Sequence, residues 1–421
     1  MPGMWIHRAA TLRSIQTMTS RIQLLVAFSG LLGCHTTPNE ARARDTDVGT
    51  STDASSGESG AEDTDDEPEF APSAPGPYAV GVETVVFHDE ARGRELVTEI
   101  WYPAQAREGA EPVTVYSENE ILTPGARDAL DALGERFESE LESSAERAAP
   151  PLRDEGPFPV VFFSHGSGGT RVQSVSYTTV LASHGFVVVA PDHVGNTLSD
   201  VIVSGPFETS DLLVSLGERT LDLAFVRGEL ERSESVAASS GMLDLERVGV
   251  SGHSFGGLTS LRWMAQGGDV DAVVAQVPPG MSTTWIGISS SLASFDVPLL
   301  LQLAGQDSIL PIEEHGDTIW SAASAPRARM LLEEAGHYTY SDMCEVGGRD
   351  LELLERLGLR DTLADGCSGA NVTPEIAGLA TRHYAIAFFE RFLRGDVEGA
   401  RLDEEAGKAI VGDAFSWAAD L

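Results

Sequence analysis

Basic residues are scarce in this 421-residue chain, and lysine is nearly absent. Lysine and arginine together number 28 against 65 acidic residues, Lys408 is the sole lysine, and the formal net charge is −37. A surface of that sign repels phosphate backbones, so the composition argues against nucleic-acid binding. The length and a hydrophobic content of 42% allow one large α/β domain with appendages.

Cysteine is also scarce, at three residues. Cys34 follows an apolar run, Leu24–Gly33, that is too short to span a bilayer and is preceded by three arginines and no acid. Leu31–Cys34 resembles the lipobox of bacterial lipoproteins, in which the cysteine is lipidated; an ordinary cleaved signal peptide is the alternative. We predict a lipoprotein signal over residues 1–33 and lipidation at Cys34. The mature protein would then be exported and membrane-anchored in the cell envelope, facing the periplasm or the surface.

The other two cysteines, Cys344 and Cys367, form an even pair. In an exported protein such a pair predicts one disulfide, with two buried free thiols as the alternative. The bond would lie within residues 338–371, which we interpret as a loop segment.

Large aliphatic side chains are missing from the stretch after Cys34. Val48 is the only one before Phe70, and the stretch is rich in Ser, Thr, Gly, Asp and Glu. Such a composition cannot bury enough apolar surface to offset the entropy of ordering. We therefore predict a disordered acidic tether over residues 34–75 and a catalytic domain over residues 76–421.

The catalytic domain alternates β-type and helical segments, which predicts the α/β class: a mostly parallel eight-stranded sheet with helices on both faces. Helices are predicted over 123–146, 172–183, 210–232, 255–265 and 373–393. Strands are predicted over 79–87, 96–102, 159–163, 186–190, 247–250, 270–277, 297–303 and 327–333.

The first of these helices would be an insertion between the second and third strands. Ala126, Leu130, Phe137 and Leu141 recur at helical spacing, and Pro124 suits a first turn. The helix would pack on the domain or cap the site, and packing is the favoured interpretation.

One stretch organises the expected chemistry. Gly252-His-Ser-Phe-Gly256 fits G-x-S-x-G and lies between a β-branched strand and a helix. The two glycines permit a sharp strand-to-helix turn, because a Cβ at either position would clash. The turn predicts a strained elbow that presents Ser254 as a nucleophile.

A serine nucleophile needs a base, and the base needs an orienting carboxylate. Asp307 follows a strand and Gly305, and His337 follows the next strand and Gly336. The chain order serine, acid, histidine is that of the elbow architecture. We predict a catalytic triad of Ser254, Asp307 and His337.

The oxyanion of acyl transfer needs preorganised donors. The backbone N–H of Phe255, directly after the nucleophile, supplies one. The glycine-rich loop after the third strand supplies the other, which we assign to Ser167, with Gly166 as the alternative.

Other side chains carry weaker signals. His253 is interpreted as packing locally and His193 as structural. Trp285 and Tyr338 are candidates to line the substrate cleft. No cluster has convincing metal-ligand spacing, so we predict neither a metal nor another cofactor.

Three segments carry a family resemblance: Phe163-Ser-His-Gly-Ser-Gly-Gly, Leu181-Ala-Ser-His-Gly-Phe-Val-Val-Val-Ala190 and Gly252-His-Ser-Phe-Gly-Gly257. The chain resembles the platelet-activating-factor acetylhydrolase and dienelactone-hydrolase-like branch of the α/β-hydrolases. The resemblance implies an α/β-hydrolase fold and a metal-free serine hydrolase acting on esters. Plasma-type acetylhydrolases place the acid after the sixth strand, where this chain has Gln276, and this departure puts a phospholipid substrate in doubt.

The resulting prediction is an exported carboxylic ester hydrolase with a Ser-His-Asp acyl-enzyme mechanism. Its substrate would be a small-molecule, lipid or polymer ester, and its membrane contact would be the N-terminal lipid anchor. Two alternatives stay open: a peptidase or amidase of the same fold, and a catalytically inactive, surface-tethered binding module. The sequence does not indicate the oligomeric state.

Overall fold

The structure is a computed structural model, and it describes residues 74–106, 113–232, 235, 241–280, 292, 296–357, 365–367, 372–396 and 401–421. The predictions for the signal, Cys34, nearly all of the tether, and Trp285 lie outside these residues. Within the described ranges, no helix is both long enough and apolar enough to cross a membrane.

A twisted sheet forms the centre of the molecule, and ten of its strands fall within the described ranges. They lie in the order β12-β11-β10-β9-β8-β6-β7-β2-β1-β5, and the six strands from β11 to β7 run parallel. Their bounds are β1 Ala79–Asp89, β2 Arg94–Ala104, β5 Ala145–Arg147, β6 Phe158–Ser164, β7 Val187–Pro191, β8 Leu243–His253, β9 Ala272–Gln276, β10 Leu299–Ala304, β11 Arg327–Leu332 and β12 Phe415–Asp420. A separate antiparallel pair consists of β3 Thr114–Ser117 and β4 Glu140–Ser143.

Helices cover both faces of the sheet. They are α1 Glu118–Ile121, α2 Pro124–Leu133, α3 Val175–Ser183, α4 Leu198–Ser204, α5 Thr209–Leu230, α6 Phe255–Ala265, α7 Gly316–Ala322, α8 Met343–Arg349, α9 Leu351–Arg356, α10 Pro374–Phe389 and α11 Glu404–Val411. Short 3₁₀ turns occupy Arg153–Glu155 and His337–Tyr340, and a π-turn occupies Glu390–Arg394.

Alternation along the strands divides the core into two layers. In β6, Val161 and Phe163 join a core with α3 and α10 on one face of the sheet, whereas Val160 and Phe162 join a second core with α5 and α6 on the other. Side chains of a strand point to opposite faces in turn, so a strand buried on both sides is apolar throughout. The predicted α/β class and mostly parallel sheet are confirmed.

The predicted count of eight strands was too low. The two added strands lie at the sheet edges: β5 has three residues and pairs with β1, and β12 runs antiparallel to β11. A three-residue strand is too short to show a two-residue period. In β12, Phe415 and Trp417 favour a strand, but the two alanines and Asp420 that follow do not, so the β-type signal is short.

The predicted helix over 123–146 was wrong beyond Leu133. Thr123 caps α2 at its start, and Gly134 ends it with a left-handed φ of 72°. Residues 140–143 then alternate between exposed and buried and pair with β3, so Leu141 belongs to a strand. Helix α2 does pack on the domain, in a small satellite core that contains Leu122, Ala126, Leu130, Phe137, Leu198, Leu353 and Leu354.

The interpretation of residues 338–371 as a loop also needs correction. The 3₁₀ turn and helices α8 and α9 occupy much of the segment. The predicted disulfide between Cys344 and Cys367 is confirmed, and it joins α8 to a short stretch, 365–367.

Candidate active site

The elbow forms as the glycines require. Ser254 stands between the end of β8 and the start of α6 with φ 54° and ψ −120°, a backbone conformation that non-glycine residues rarely adopt. A Cβ at Gly252 would lie 2.5 Å from the backbone of Gly256, and a Cβ at Gly256 would overlap the carbonyl oxygen of Ser164. The turn therefore tolerates only glycine at these two positions.

The structure brings the three predicted triad side chains into one hydrogen-bonded chain. His337 Nε2 lies 2.9 Å from Ser254 Oγ, and His337 Nδ1 lies 2.7 Å from Asp307 Oδ2. His337 and Asp307 are buried, whereas Ser254 is partly exposed. The imidazole can therefore accept the hydroxyl proton on one side while donating to the carboxylate on the other.

The parallel register of β10 and β11 places Asp307 beside His337. The two strands are paired along their whole length, so the loops that follow them leave the sheet at the same edge. Asp307 is fixed further by its second oxygen, because Oδ1 accepts hydrogen bonds from the amides of Ile309 at 3.0 Å and Leu310 at 2.6 Å.

Gln276 stands at the end of the strand after which plasma-type acetylhydrolases carry their catalytic acid, but here it makes a contact within the sheet. It is the last residue of β9, and its Nε2 donates to Gln302 Oε1 at 3.1 Å inside the sheet. Asp307, the acid predicted from the sequence, lies instead in the loop after β10.

Among the described contacts of residues 166–169, in the predicted oxyanion loop, three of the four amides have an acceptor. Gly166 donates its N–H to Gln173 Oε1 at 2.8 Å, Gly168 donates to Asn196, and Gly169 donates to Gly166. The amide of Gly166, the alternative donor, is therefore already engaged. Within the part of the chain that the structure describes, no group accepts a hydrogen bond from the amides of Ser167 or Phe255.

A buried chain of hydrogen bonds ties this loop to the base. Gln173 Nε2 donates to His253 Nδ1 at 2.8 Å, and His253 Nε2 lies 2.9 Å from the carbonyl oxygen of His337. These partners fix a neutral imidazole with its proton on Nε2. Burial lowers the pKa of His253 to about 3, and the neighbouring His337 adds to the shift. His253 therefore packs locally, and it also positions two loops of the site.

Arg219 also stabilises the glycine-rich loop, through hydrogen bonds to its backbone carbonyls. Its fully buried guanidinium donates to the carbonyl oxygens of His165 at 2.6 Å and Gly166 at 3.0 Å, and to Asn196 Oδ1 at 2.6 Å. Its Cζ also lies 5.0 Å from the centre of the Phe255 ring. Burial lowers the pKa of Arg219 to about 9, so the side chain stays charged at neutral pH.

His193 lies in a neighbouring polar cluster. Its ring contacts Ser164 Oγ at 3.1 Å and Asp222 Oδ2 at 3.0 Å and makes no hydrogen bond to the Ser-His-Asp chain. Burial lowers its pKa to about 4, with the Arg219 charge adding to the shift, so the imidazole is neutral near pH 7. These contacts fit the structural interpretation of the residue.

A cavity of about 310 Å³ opens beside Ser254. Its described lining includes neither an acidic residue nor an arginine or lysine, and it is largely apolar. Tyr338, a predicted lining residue, is part of the wall. Apolar side chains from several inserted segments complete it: Phe137, Leu198, Val201, Phe207, Met343, Val346 and Leu354.

Sequence reasoning missed Gln173 and Arg219. Each contacts residues far away along the chain, His253 in the first case and His165 in the second. Arg219 shares its buried helix face with Ser215, Thr220 and Asp222 as well as with leucines, so the sequence pattern does not single it out, and Gln173 has no local signal either.

Two family models match this chain. The model described as platelet-activating factor acetylhydrolase, isoform II, matches residues 66–203, and the PET hydrolase-like model matches residues 168–351. The two matched stretches carry, respectively, the oxyanion loop and the Ser-His-Asp chain.

Individual relatives agree with these models. Cutinase est1 of Thermobifida alba is 28% identical over 188 residues, which are 44% of this chain and 55% of the relative. Platelet-activating factor acetylhydrolase of Cavia porcellus is 24% identical over 230 residues, 46% of this chain and 52% of that protein. The chain thus spans about half the length of the curated relatives it matches.

A solved structure extends the likeness to the whole fold. The ferulic acid esterase from Streptomyces cinnamoneus superposes with a TM-score of 0.59 at 24% identity, covering 83% of this chain and 98% of that one. The fold and the elbow define an α/β-hydrolase. Within that superfamily, the chain is similar to platelet-activating factor acetylhydrolase isoform II in its first matched stretch and to PET hydrolase-like proteins in its second.

Proposed function

We propose that this protein is a serine hydrolase that cleaves carboxylic esters through an acyl-enzyme. The observation that carries the proposal is the hydrogen-bonded chain from Ser254 through His337 to Asp307, with distances of 2.9 and 2.7 Å. The relatives add support, because cutinases, the acetylhydrolase and the ferulic acid esterase are all carboxylic ester hydrolases.

Each residue then has a defined task. Ser254 Oγ attacks the acyl carbonyl while His337 Nε2 takes its proton, and Asp307 holds the imidazole in the required tautomer. The Phe255 and Ser167 amides donate to the oxyanion. His337 returns the proton to the leaving alcohol, and water cleaves the acyl-enzyme by the same route.

The oxyanion assignment depends on how close the glycine-rich loop lies to the serine. A Cβ built at Gly166 would stand 3.6 Å from Ser254 Cβ, so the loop lies directly beside the nucleophile. In residues 166–169, the amides of the three glycines donate to other groups, and the Ser167 amide is the one for which no acceptor is described. This freedom and proximity favour Ser167 as the second donor.

The cavity favours a neutral substrate with an apolar acyl or alcohol group. A ligand carboxylate or phosphate would find no arginine or lysine among the described lining residues, and the net charge of −37 would repel it at long range. About 310 Å³ suits a small or medium ester group.

The proposal includes export with lipidation at Cys34. The Cys344–Cys367 disulfide supports it, because such bonds persist in oxidising compartments. Labelling with radioactive palmitate in a bacterial host tests it: the parent chain should take up label and Cys34→Ala should not. Equal labelling of the two would contradict lipidation at Cys34.

Replacement of the nucleophile tests the enzymatic proposal. Ser254→Ala should lower kcat/KM for p-nitrophenyl butyrate by about 10⁴-fold or more, since the mechanism has no substitute for the hydroxyl. The matched control is Ser321→Ala, a serine in α7 on the protein surface. Folding of each variant is checked by circular dichroism, and retained turnover in Ser254→Ala would overturn the proposal.

A further inference from the structure

A three-residue stretch, Asp365–Cys367, lies between the two loops that carry the acid and the base; we call it the bridge. Its carboxylate contacts the acid loop at three points. Asp365 Oδ2 accepts hydrogen bonds from the Ser308 amide at 2.8 Å, the Ser308 hydroxyl at 2.9 Å and the Ile309 amide at 3.2 Å. The Ile309 amide is also a donor to Asp307 Oδ1, so the bridge and the acid share a donor.

The backbone of the bridge contacts the base loop. Tyr338 donates its amide to the Asp365 carbonyl at 3.0 Å, and Thr339 Oγ1 donates to the Gly366 carbonyl at 3.2 Å. Gly336, directly before His337, lies so close to the bridge that a Cβ there would overlap the Asp365 carboxylate. The bridge therefore contacts both loops, and a shift of one loop relative to the other would break some of these contacts.

A covalent bond anchors the bridge at its end. Cys367 is disulfide-bonded to Cys344 in α8, the helix that also contributes Met343 and Val346 to the cavity wall. The bridge thus connects the acid loop, the base loop and the substrate wall.

We propose that Asp365 is a positioning residue that holds Asp307 and His337 at their reactive separation, and that the disulfide keeps it in place. This inference depends on the proposed esterase function. Hydrogen bonds to a carboxylate are stronger than neutral ones, so a triple contact fixes the loop well. Reacting groups displaced by about 1 Å lose on the order of 10²-fold in rate.

The test compares Asp365→Ala with Asp403→Ala in the intact chain. Both aspartates accept backbone N–H bonds, but Asp403 caps the distant helix α11. Sites are counted by fluorophosphonate titration, and kcat per site is measured well below the melting temperature. We expect Asp365→Ala to lose about 10- to 100-fold in kcat with KM changed less than about threefold, and Asp403→Ala to keep both.

Two further variants separate positioning from folding. Asp365→Asn keeps one acceptor oxygen and should recover most of the lost kcat. Cys344→Ser with Cys367→Ser should lower kcat in the parent and add little to Asp365→Ala, because both changes release the same contact. The inference would be overturned if Asp365→Ala had the same per-site kcat as the parent. It would also be overturned if the kcat losses of Asp365→Ala and of the double cysteine variant multiplied when the changes were combined.

The two proposals fail differently. Turnover that survives Ser254→Ala removes the esterase mechanism itself. An inactive Ser254→Ala beside a fully active Asp365→Ala removes only the positioning role.

Discussion

Gln173 shows how one side chain can control several parts of a site. Its side-chain oxygen Oε1 accepts a hydrogen bond from the Gly166 amide in the oxyanion loop, and its side-chain Nε2 donates to His253. The His253 ring in turn contacts the backbone carbonyl of His337. The oxyanion donors and the base are therefore mechanically connected through a buried amide.

Gln173→Leu should lower kcat by about 10-fold or more, because Gly166 N–H and His253 Nδ1 would lose their partners. Each such buried, unsatisfied group costs about 1–3 kcal/mol, which the loops can avoid only by shifting. Steady-state kinetics and urea unfolding measure both effects. Gln302→Leu is the control: it also removes a buried glutamine with two partners, and it should lower stability while leaving kcat near the parent value. Equal kcat losses in the two variants would contradict the connection.

Glu118 makes stability depend on pH. Burial and, to a smaller extent, the nearby Asp192 and Asp350 together raise its pKa from 4.5 to about 7, against the opposing charge of Arg171. The folded state thus favours the protonated carboxyl, and its stabilising contribution is lost as the pH rises from about 4.5 through about 7. The shift corresponds to about 3 kcal/mol.

Glu118→Gln should therefore match the parent chain near pH 4.5 and exceed it in stability at pH 8 by up to about 3 kcal/mol. Urea unfolding at the two pH values measures the difference. Glu120→Gln, at an exposed position of the same helix α1, should leave the free energy of unfolding unchanged at both pH values. A gain for Glu118→Gln that is the same at both pH values would contradict the assignment.

At the scale of elements, helix α2 supports the cavity wall from behind. Leu130 is 2% exposed in the satellite core that includes Phe137 and Leu354, both of which line the cavity, whereas Leu133 is 58% exposed on the same helix. Loss of a buried leucine costs about 2–5 kcal/mol, and loss of an exposed one costs little.

Leu130→Ala should raise KM for p-nitrophenyl hexanoate several-fold and leave kcat for p-nitrophenyl acetate within about twofold, because the wall loosens while the reacting groups stay in place. Leu133→Ala should match the parent chain in both respects. Equal effects of the two substitutions on KM would show that α2 does not support the wall.

The elements that the sequence predicted well have strong local signals. Strands β6 and β10 are short, wholly apolar or nearly so, and end at the loops that carry Ser167 and Asp307. The helix after Pro124 was predicted, but its end was not, because Leu141 keeps the helical spacing even though Gly134 breaks the helix. The spacing of apolar residues alone does not reveal that a left-handed glycine ends the helix while the apolar pattern continues.

The polar contacts within the site could not be predicted from the sequence. Gln173 meets His253 and Asp365 meets Ser308 across long intervals of chain, and these pairings depend on which strands become neighbours. Asp365 lies in a sequence stretch of mixed composition without a recognisable motif, so its contact with Ser308 follows only from the fold.

At the scale of the whole molecule, charge should select among esters. With a net charge of −37 and no arginine or lysine in the described cavity lining, p-nitrophenyl butyrate should exceed p-nitrophenyl hemisuccinate in kcat/KM by about 100-fold at low salt. Raising the salt to about 0.5 M should narrow the ratio by screening the long-range repulsion and leave the desolvation cost in place. A ratio near one would contradict the proposed preference for neutral substrates.

The central claim is that one serine, at the elbow, performs the chemistry. The most direct measurement is peptide mapping by mass spectrometry after reaction with a fluorophosphonate, alongside the loss of esterase activity. We predict one adduct per chain, located on Ser254, with activity falling in proportion to its formation. Full inactivation with the adduct on another residue, or a labelled Ser254 in a chain that still turns over ester, would contradict the account.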